Sequence, residues 1–228
     1  MGYPRTLAPH SVVLGLVGLL GAGVAAAEVS STITLTSDYD WRGITQTDED
    51  PALQASIDWA DDSGWYVGAW ASNVDFGPGD PNYEVDLYTG FSGGDEDGLG
   101  WDVGIQYYAY PEESDFNFPE IYGGLSYGMF SGKLWYSNDF ANTDESAFYL
   151  EGAAAIPLPA NLTLDLHVGY SDGDGVEASY GLSNYFDYSV GVSYTIEKFD
   201  LSLKYVDTDI DGADTDRLIF SISTTLPW

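Results

Sequence analysis

No cysteine occurs in the 228 residues, so neither disulfides nor thiolate metal sites hold this chain together. Basic side chains are almost as scarce, with six Lys and Arg against 37 Asp and Glu and a formal net charge of −31. Neutralising phosphates takes clustered positive charge, so nucleic-acid binding is excluded. No helical period of apolar residues runs through the chain beyond residue 27. The one long apolar run, Ser11–Val24, is too short to span a bilayer comfortably as an anchor. It follows Arg5 and leads into Ala25–Ala27, the pattern of a secretory signal over 1–27, which leaves 228 − 27 = 201 residues. Apolar content is 44%, too high for an acidic disordered tail.

What the chain has instead is period-2 alternation. In "NLTLDLHVGY", Leu162, Leu164, Leu166, Val168 and Tyr170 oppose Thr163, Asp165, His167 and Gly169. The stretches "NYEVDLYTGFS", "LGWDVGIQYYAY" and "RLIFSISTTLPW" repeat the pattern. About twelve such stretches of roughly ten residues are present, the length of a tilted membrane-spanning strand. The first runs over 30–41, and the sixth and seventh over 119–130 and 133–140, joined by a turn at Ser131 and Gly132. Ten or fourteen strands remain open.

Connections alternate between short turns such as "EK" and longer acidic loops such as "DTDIDGADTD". Bacterial outer-membrane barrels pair short periplasmic turns with longer external loops. The expected fold is therefore all-β: a transmembrane antiparallel up-and-down barrel of about twelve strands over 28–228, with both termini in the periplasm. A soluble sandwich alternates too. Against it stand aromatics near strand ends: Trp59, Trp65, Phe91, Trp101, Phe130 and Phe199 at one rim, and Tyr39, Trp41, Tyr83, Tyr110, Tyr170 and Tyr205 at the other. The last strand carries Phe220 and ends on Trp228, resembling the signal read by the bacterial barrel-insertion machinery. Outer-membrane lipid and that machinery are the expected partners of a monomer or small homo-oligomer.

Alternation places Asp38, Asp40, Asp58, Glu84, Asp86, Asp102, Glu120, Glu151, Asp165, His167, Lys204 and Arg217 on the lumen side. An acidic lumen attracts cations, because low-dielectric walls focus the field of their charges. The expected function is passive diffusion of cations or small polar solutes through a narrow acidic pore. The alternative is a closed structural barrel whose charges only pair with one another. No cofactor is expected beyond calcium at the external loops. There Asp207, Asp209 and Asp211 begin a D-x-D-x-D-G run, but Leu218 stands where a calcium loop requires Glu, which favours a merely solvated loop. Nucleophilic catalysis needs a base beside its nucleophile, and His167 has no evident serine partner, so an enzyme is not expected.

The segment Thr32–Phe76, through "LTSDY", "RGITQT", "PALQ" and "SGWYVGAWASNV", resembles the opening of the TorF-type porin family of proteobacteria. That resemblance implies an outer-membrane barrel and a channel role, without a known solute. Within it Asp38 and Asp40 are expected inward, with Tyr39 and Trp41 at the lipid interface. Arg42 and Gly43 are expected to open the first external loop, with Arg42 folding over the mouth as a clasp on inward carboxylates or as a selectivity charge.

Overall fold

A computed structural model describes residues 28–77, 79–95 and 98–228, so the expected signal over 1–27 lies outside the described residues. The strands are β1 (Glu28–Thr36), β2 (Ala52–Ala60), β3 (Trp65–Asn73), β4 (Tyr83–Gly94), β5 (Leu99–Ala109) and β6 (Phe118–Tyr127). They continue as β7 (Phe130–Ser137), β8 (Ala147–Leu158), β9 (Leu162–Asp172), β10 (Asn184–Ile196), β11 (Phe199–Thr208) and β12 (Arg217–Pro227). Each pairs with its sequence neighbour, and β1 pairs antiparallel with β12, closing a twelve-stranded barrel. Closure leaves no sheet edge, which is what backbone polar groups require inside lipid. The seam is tied further by Trp228, whose backbone N–H donates to the Val29 carbonyl and whose Nε1 donates to Ser31 Oγ at 2.8 Å.

Alternation decides which side chains face out. Ile33, Leu53, Leu87, Ile105, Ile121, Leu134, Leu150, Val168, Val190, Leu203 and Phe220 are all exposed on the outer wall. In water such a belt would be a large apolar patch; in a bilayer it is the solvated surface. Trp65 stacks on Phe91 and meets Trp59 edge-on at the short-turn rim. Tyr170 packs on Phe186 and Phe148 near the long-loop rim.

Two boundaries differ from the sequence reading. The turn between β6 and β7 lies at Gly128 and Met129, not at Ser131 and Gly132, because Gly128 supplies the left-handed φ of 60° that the turn needs. Lys133, expected as the first residue of its strand, thereby becomes the fourth and points inward. The second difference is larger: β1 ends at Thr36 instead of 41. Beyond it the chain bends into the lumen, with Thr36 Oγ1 donating to the Asp38 carbonyl at 2.8 Å. A small hairpin follows, pairing Asp40–Trp41 with Ile44–Thr45 across Arg42 (φ 52°) and Gly43 (φ 80°). Positive φ at both central residues is the geometry of a type I′ turn. At Gly43 a Cβ would run into Thr208 and Asp187 of the barrel wall, so only glycine permits this approach.

Tyr39, Trp41 and Tyr110 are consequently not at the lipid interface. They belong to an aromatic cluster inside the long-loop end of the barrel, with Trp70, Phe76, Phe116, Phe118, Phe140, Val176 and Tyr185. Trp41 stacks on Phe140 with ring centroids 5.9 Å apart, and Tyr108 stacks on Phe118 at 4.5 Å. Part of this cap comes from a short helix, α1 (Asp174–Tyr180), in the connection between β9 and β10. Glu112 ties two of the long loops, accepting from the Asn82 backbone N–H and Nδ2, both at 2.8 Å, and these donors hold its carboxyl below the usual range.

Candidate functional site: the lumen and its inward loop

The lumen is where the rare cations went. Of the five Lys and Arg after Arg5 (6 − 1), four lie inside the barrel, each against a carboxylate: Arg42, Lys133, Lys204 and Arg217. The inward loop, residues 37–51, uses three of them. Arg217 on β12 reaches Asp38 through Nε at 2.8 Å and Asp40 through Nη2 at 2.5 Å, and Nη2 also donates to the Gly43 carbonyl at 3.1 Å. Lys204 on β11 holds the other Asp40 oxygen at 3.1 Å. Asp38 also accepts from Thr45 Oγ1 at 2.6 Å and Thr47 Oγ1 at 3.2 Å, closing the loop on itself.

Arg42 then crosses to the opposite wall. Its Nη2 lies 2.6 Å from Glu120 Oε2 on β6, and Tyr108 donates to the same oxygen at 2.9 Å. Its guanidinium carbon sits 4.4 Å from the ring centroids of both Trp41 and Tyr149, and 5.9 Å from Trp135. A charge taken out of water needs such compensation: a carboxylate for the Coulomb term and aromatic faces for the rest. Trp135 is shared with Lys133, whose Nζ lies 4.8 Å from its centroid, 4.2 Å from that of Tyr122 and 3.1 Å from Asp102 Oδ1.

Towards the short-turn end the filling becomes a ladder of tyrosines on carboxylates. Tyr66 donates to Asp102 at 2.6 Å and pairs with the Tyr122 hydroxyl at 2.6 Å, while Tyr88 bonds Asp58. These rings need glycine beneath them: Tyr88 lies over Gly68, Tyr122 over Gly104 and Tyr66 over Gly90, each on the paired strand. The other wall, β9 to β12 and β1, presents small hydroxyls such as Thr163, Ser193, Ser221 and Thr32. A cavity of about 40 Å³ sits beside Arg42, lined by Asp40, Trp135, Tyr149, Glu151, His167, Asp187 and Lys204 among others.

No curated protein sequence matches the chain. A family model described as "Bacterial protein of unknown function (Gcw_chp)" matches residues 21–223. The chain belongs to the Gcw_chp family. Among solved structures it is similar to the KdgM porin in complex with disordered oligogalacturonate, with a TM-score of 0.56 at 8% identity, covering 88% of this chain and 99% of that one. It is also similar to the NanC porin, with a TM-score of 0.55 at 10% identity, covering 88% and 98%. At such identities the likeness is one of fold, a closed twelve-stranded barrel shared along nearly the whole length.

Within this Gcw_chp barrel the acids and cations of the sequence reading are divided between the inward loop and the wall. Asp38, Asp40, Arg42, Glu120, Lys204 and Arg217 converge on the inward loop, while Asp58 and Asp102 anchor the tyrosine ladder. Glu84 accepts from Tyr39 at 3.2 Å and Asp86 from Gln106 at 2.8 Å. His167 lies between Glu151, 3.7 Å from Nδ1, and Asp187, 2.9 Å from Nε2, with Tyr149 at 3.0 Å. Asp165 is half-buried on the same strand.

The acidic run over 207–211 does not converge. Among the described residues no group of three or more His, Asp or Glu side chains is arranged to hold a metal. Asp207 instead accepts from Tyr188 at 2.7 Å and Thr215 at 3.0 Å, and Asp209 from the Phe186 N–H at 2.7 Å.

Sequence reasoning missed Lys133, Asp187 and the lumen rings Tyr66, Tyr88, Tyr122, Trp135 and Tyr149. Asp187 was readable, since Tyr185, Asp187, Ser189 and Gly191 alternate cleanly with Phe186, Tyr188 and Val190. Lys133 was hidden by the misplaced turn. The inward rings had a weaker signal, a Gly directly opposite each of Tyr66, Tyr88 and Tyr122 in the strand pairing.

Proposed function

We propose that this chain is an outer-membrane, porin-like channel for passive diffusion of cations and small polar solutes, narrowed by its inward loop. The observation that carries the reading is a polar, carboxylate-rich lumen inside a closed barrel with an apolar outer wall. Ten lumen and loop acids (Asp38, Asp40, Asp58, Glu84, Asp86, Asp102, Glu120, Glu151, Asp165, Asp187) face only four Lys and Arg, so the field inside favours cations. KdgM was solved with oligogalacturonate, by its name an acidic sugar chain; the charge balance here argues for the opposite preference.

The resemblance of "LTSDY" and "RGITQT" to the TorF-type porins points the same way. Export through the signal over 1–27, termini in the periplasm and insertion guided by Phe220 and Trp228 complete the proposal. No reaction is assigned: the groups bonding the His167 ring are Asp187 and Tyr149, with Glu151 near, and this is how a buried imidazole is held in place.

A second reading has an observation of its own. The aromatic cap and the Arg42 crossing fill the long-loop half, as a purely structural barrel would. Reversal potentials in planar bilayers under a potassium chloride gradient separate the two. The channel reading expects discrete currents and a potential close to the potassium equilibrium value. An anion-directed potential would defeat it, and bilayers that stay silent would favour the structural barrel.

A further inference from the structure

We propose that the pocket around Arg42 is a binding site for small guanidinium-bearing solutes, and that the inward loop occupies it with its own arginine. The pocket is built for that head group. Trp41 and Tyr149 each stand 4.4 Å from the guanidinium carbon, a spacing for a planar cation lying against aromatic faces. Glu120, almost wholly buried, supplies the counter-charge at 2.6 Å, and Tyr108 orients its accepting oxygen. Only one oxygen of this carboxylate is used: Glu120 Oε1 has no hydrogen-bond partner. A free guanidinium, not held by a tether, can turn its flat fork to meet both oxygens, which a compact ammonium cannot do.

The cavity of about 40 Å³ opens beside this head-group position, towards Glu151 and Asp187, and Asp187 Oδ2 is also without a partner. That is room for about three waters, so a small substituent on the guest fits by displacing them. The wall keeps most of the pocket whatever the loop does, since Glu120, Tyr108, Trp135 and Tyr149 all lie on strands. Trp135 links it to the Lys133 position, so one indole serves two cation sites in succession along the lumen. The site stands on this geometry; it rests on the channel reading only for the route by which the solute arrives.

The probe is methylguanidinium chloride, titrated calorimetrically into the full barrel in detergent. Arg42→Gly empties the pocket at a position whose φ of 52° glycine accepts readily. This variant should bind methylguanidinium about tenfold or more tighter than the wild type, whose pocket is occupied. Adding Glu120→Gln should return affinity to the wild-type level, and potassium chloride of equal ionic strength should give no binding heat. Should the glycine variant not fold, Arg42→Gln is read in the same way. Binding to the Arg42 variants no tighter than to wild type, or undiminished by Glu120→Gln, overturns the proposal. In bilayers, methylguanidinium should reduce the current of the Arg42→Gly variant. Binding with silent bilayers would leave the site standing and remove the channel reading, whereas cation-selective currents without binding would do the reverse.

Discussion

Replacing Arg217 by alanine should cost the barrel about 3–5 kcal/mol, because it strands the buried Asp38 carboxylate and takes one of two cations from Asp40. Arg217 and Asp38 are each only 5% exposed, and the guanidinium serves Asp38, Asp40 and the Gly43 carbonyl together. Lys204 remains for Asp40, but for Asp38 only the Thr45 and Thr47 hydroxyls are left. The loss is measurable as a shift in the urea midpoint for unfolding from lipid vesicles. Lys204→Ala should cost much less, since that side chain is 23% exposed and water can replace it. Restoring balance with Asp38→Asn and Asp40→Asn in the Arg217→Ala background should recover part of the loss. Equal, small effects for Arg217 and Lys204 would mean that water already reaches the loop anchor.

The second large effect lies on the other face of the wall. Ile105, mid-way along β5 and 44% exposed, points into the apolar belt. Arginine there should destabilise the inserted barrel by about 2–4 kcal/mol, the cost of a cation near the bilayer midplane. Leu99, on the same face at the short-turn end of the same strand, is 53% exposed, yet arginine there should cost only about 0–1 kcal/mol, because the head groups are within reach. Exposure alone predicts no such difference; only depth in a membrane does. Indistinguishable costs for the two substitutions would remove the membrane from the explanation of the belt.

The barrel itself was legible because its signal is redundant. Most strands repeat the same alternation, with "WYVGAWASNV" and "KLWYSND" the weak cases, the turns alternate short and long, and the first and last strands meet at Ser31 and Trp228. An error of three residues at the β6–β7 turn therefore left the fold untouched, although it hid Lys133. The inward loop was not legible in this way. "DYDWRG" continues the alternation of β1, so pattern alone keeps Tyr39 and Trp41 on the wall, facing lipid. What turns them inward is non-local: Arg217, some 177 residues later, bonding Asp40, and Glu120 waiting for Arg42. The cue was the scarcity of positive charge. In a chain with so few cations, an arginine beside a glycine at a strand end is a clasp, and the geometry places it between Glu120 and two aromatic faces. The aromatic count misled in the same place, because rings at strand ends can serve a lipid girdle or a plug equally well.

The claim that the inward loop closes down a cation-favouring lumen is tested most directly by single-channel recording. The wild type is compared with a variant in which residues 40–45 are replaced by two glycines, which deletes the hairpin and its arginine together. The wild type should show small, often interrupted cation-selective currents. The shortened variant should conduct several-fold more, steadily, and still prefer cations, since most lumen carboxylates remain. Identical conductance in the two proteins, or a preference that turns to anions once the hairpin is gone, would contradict it.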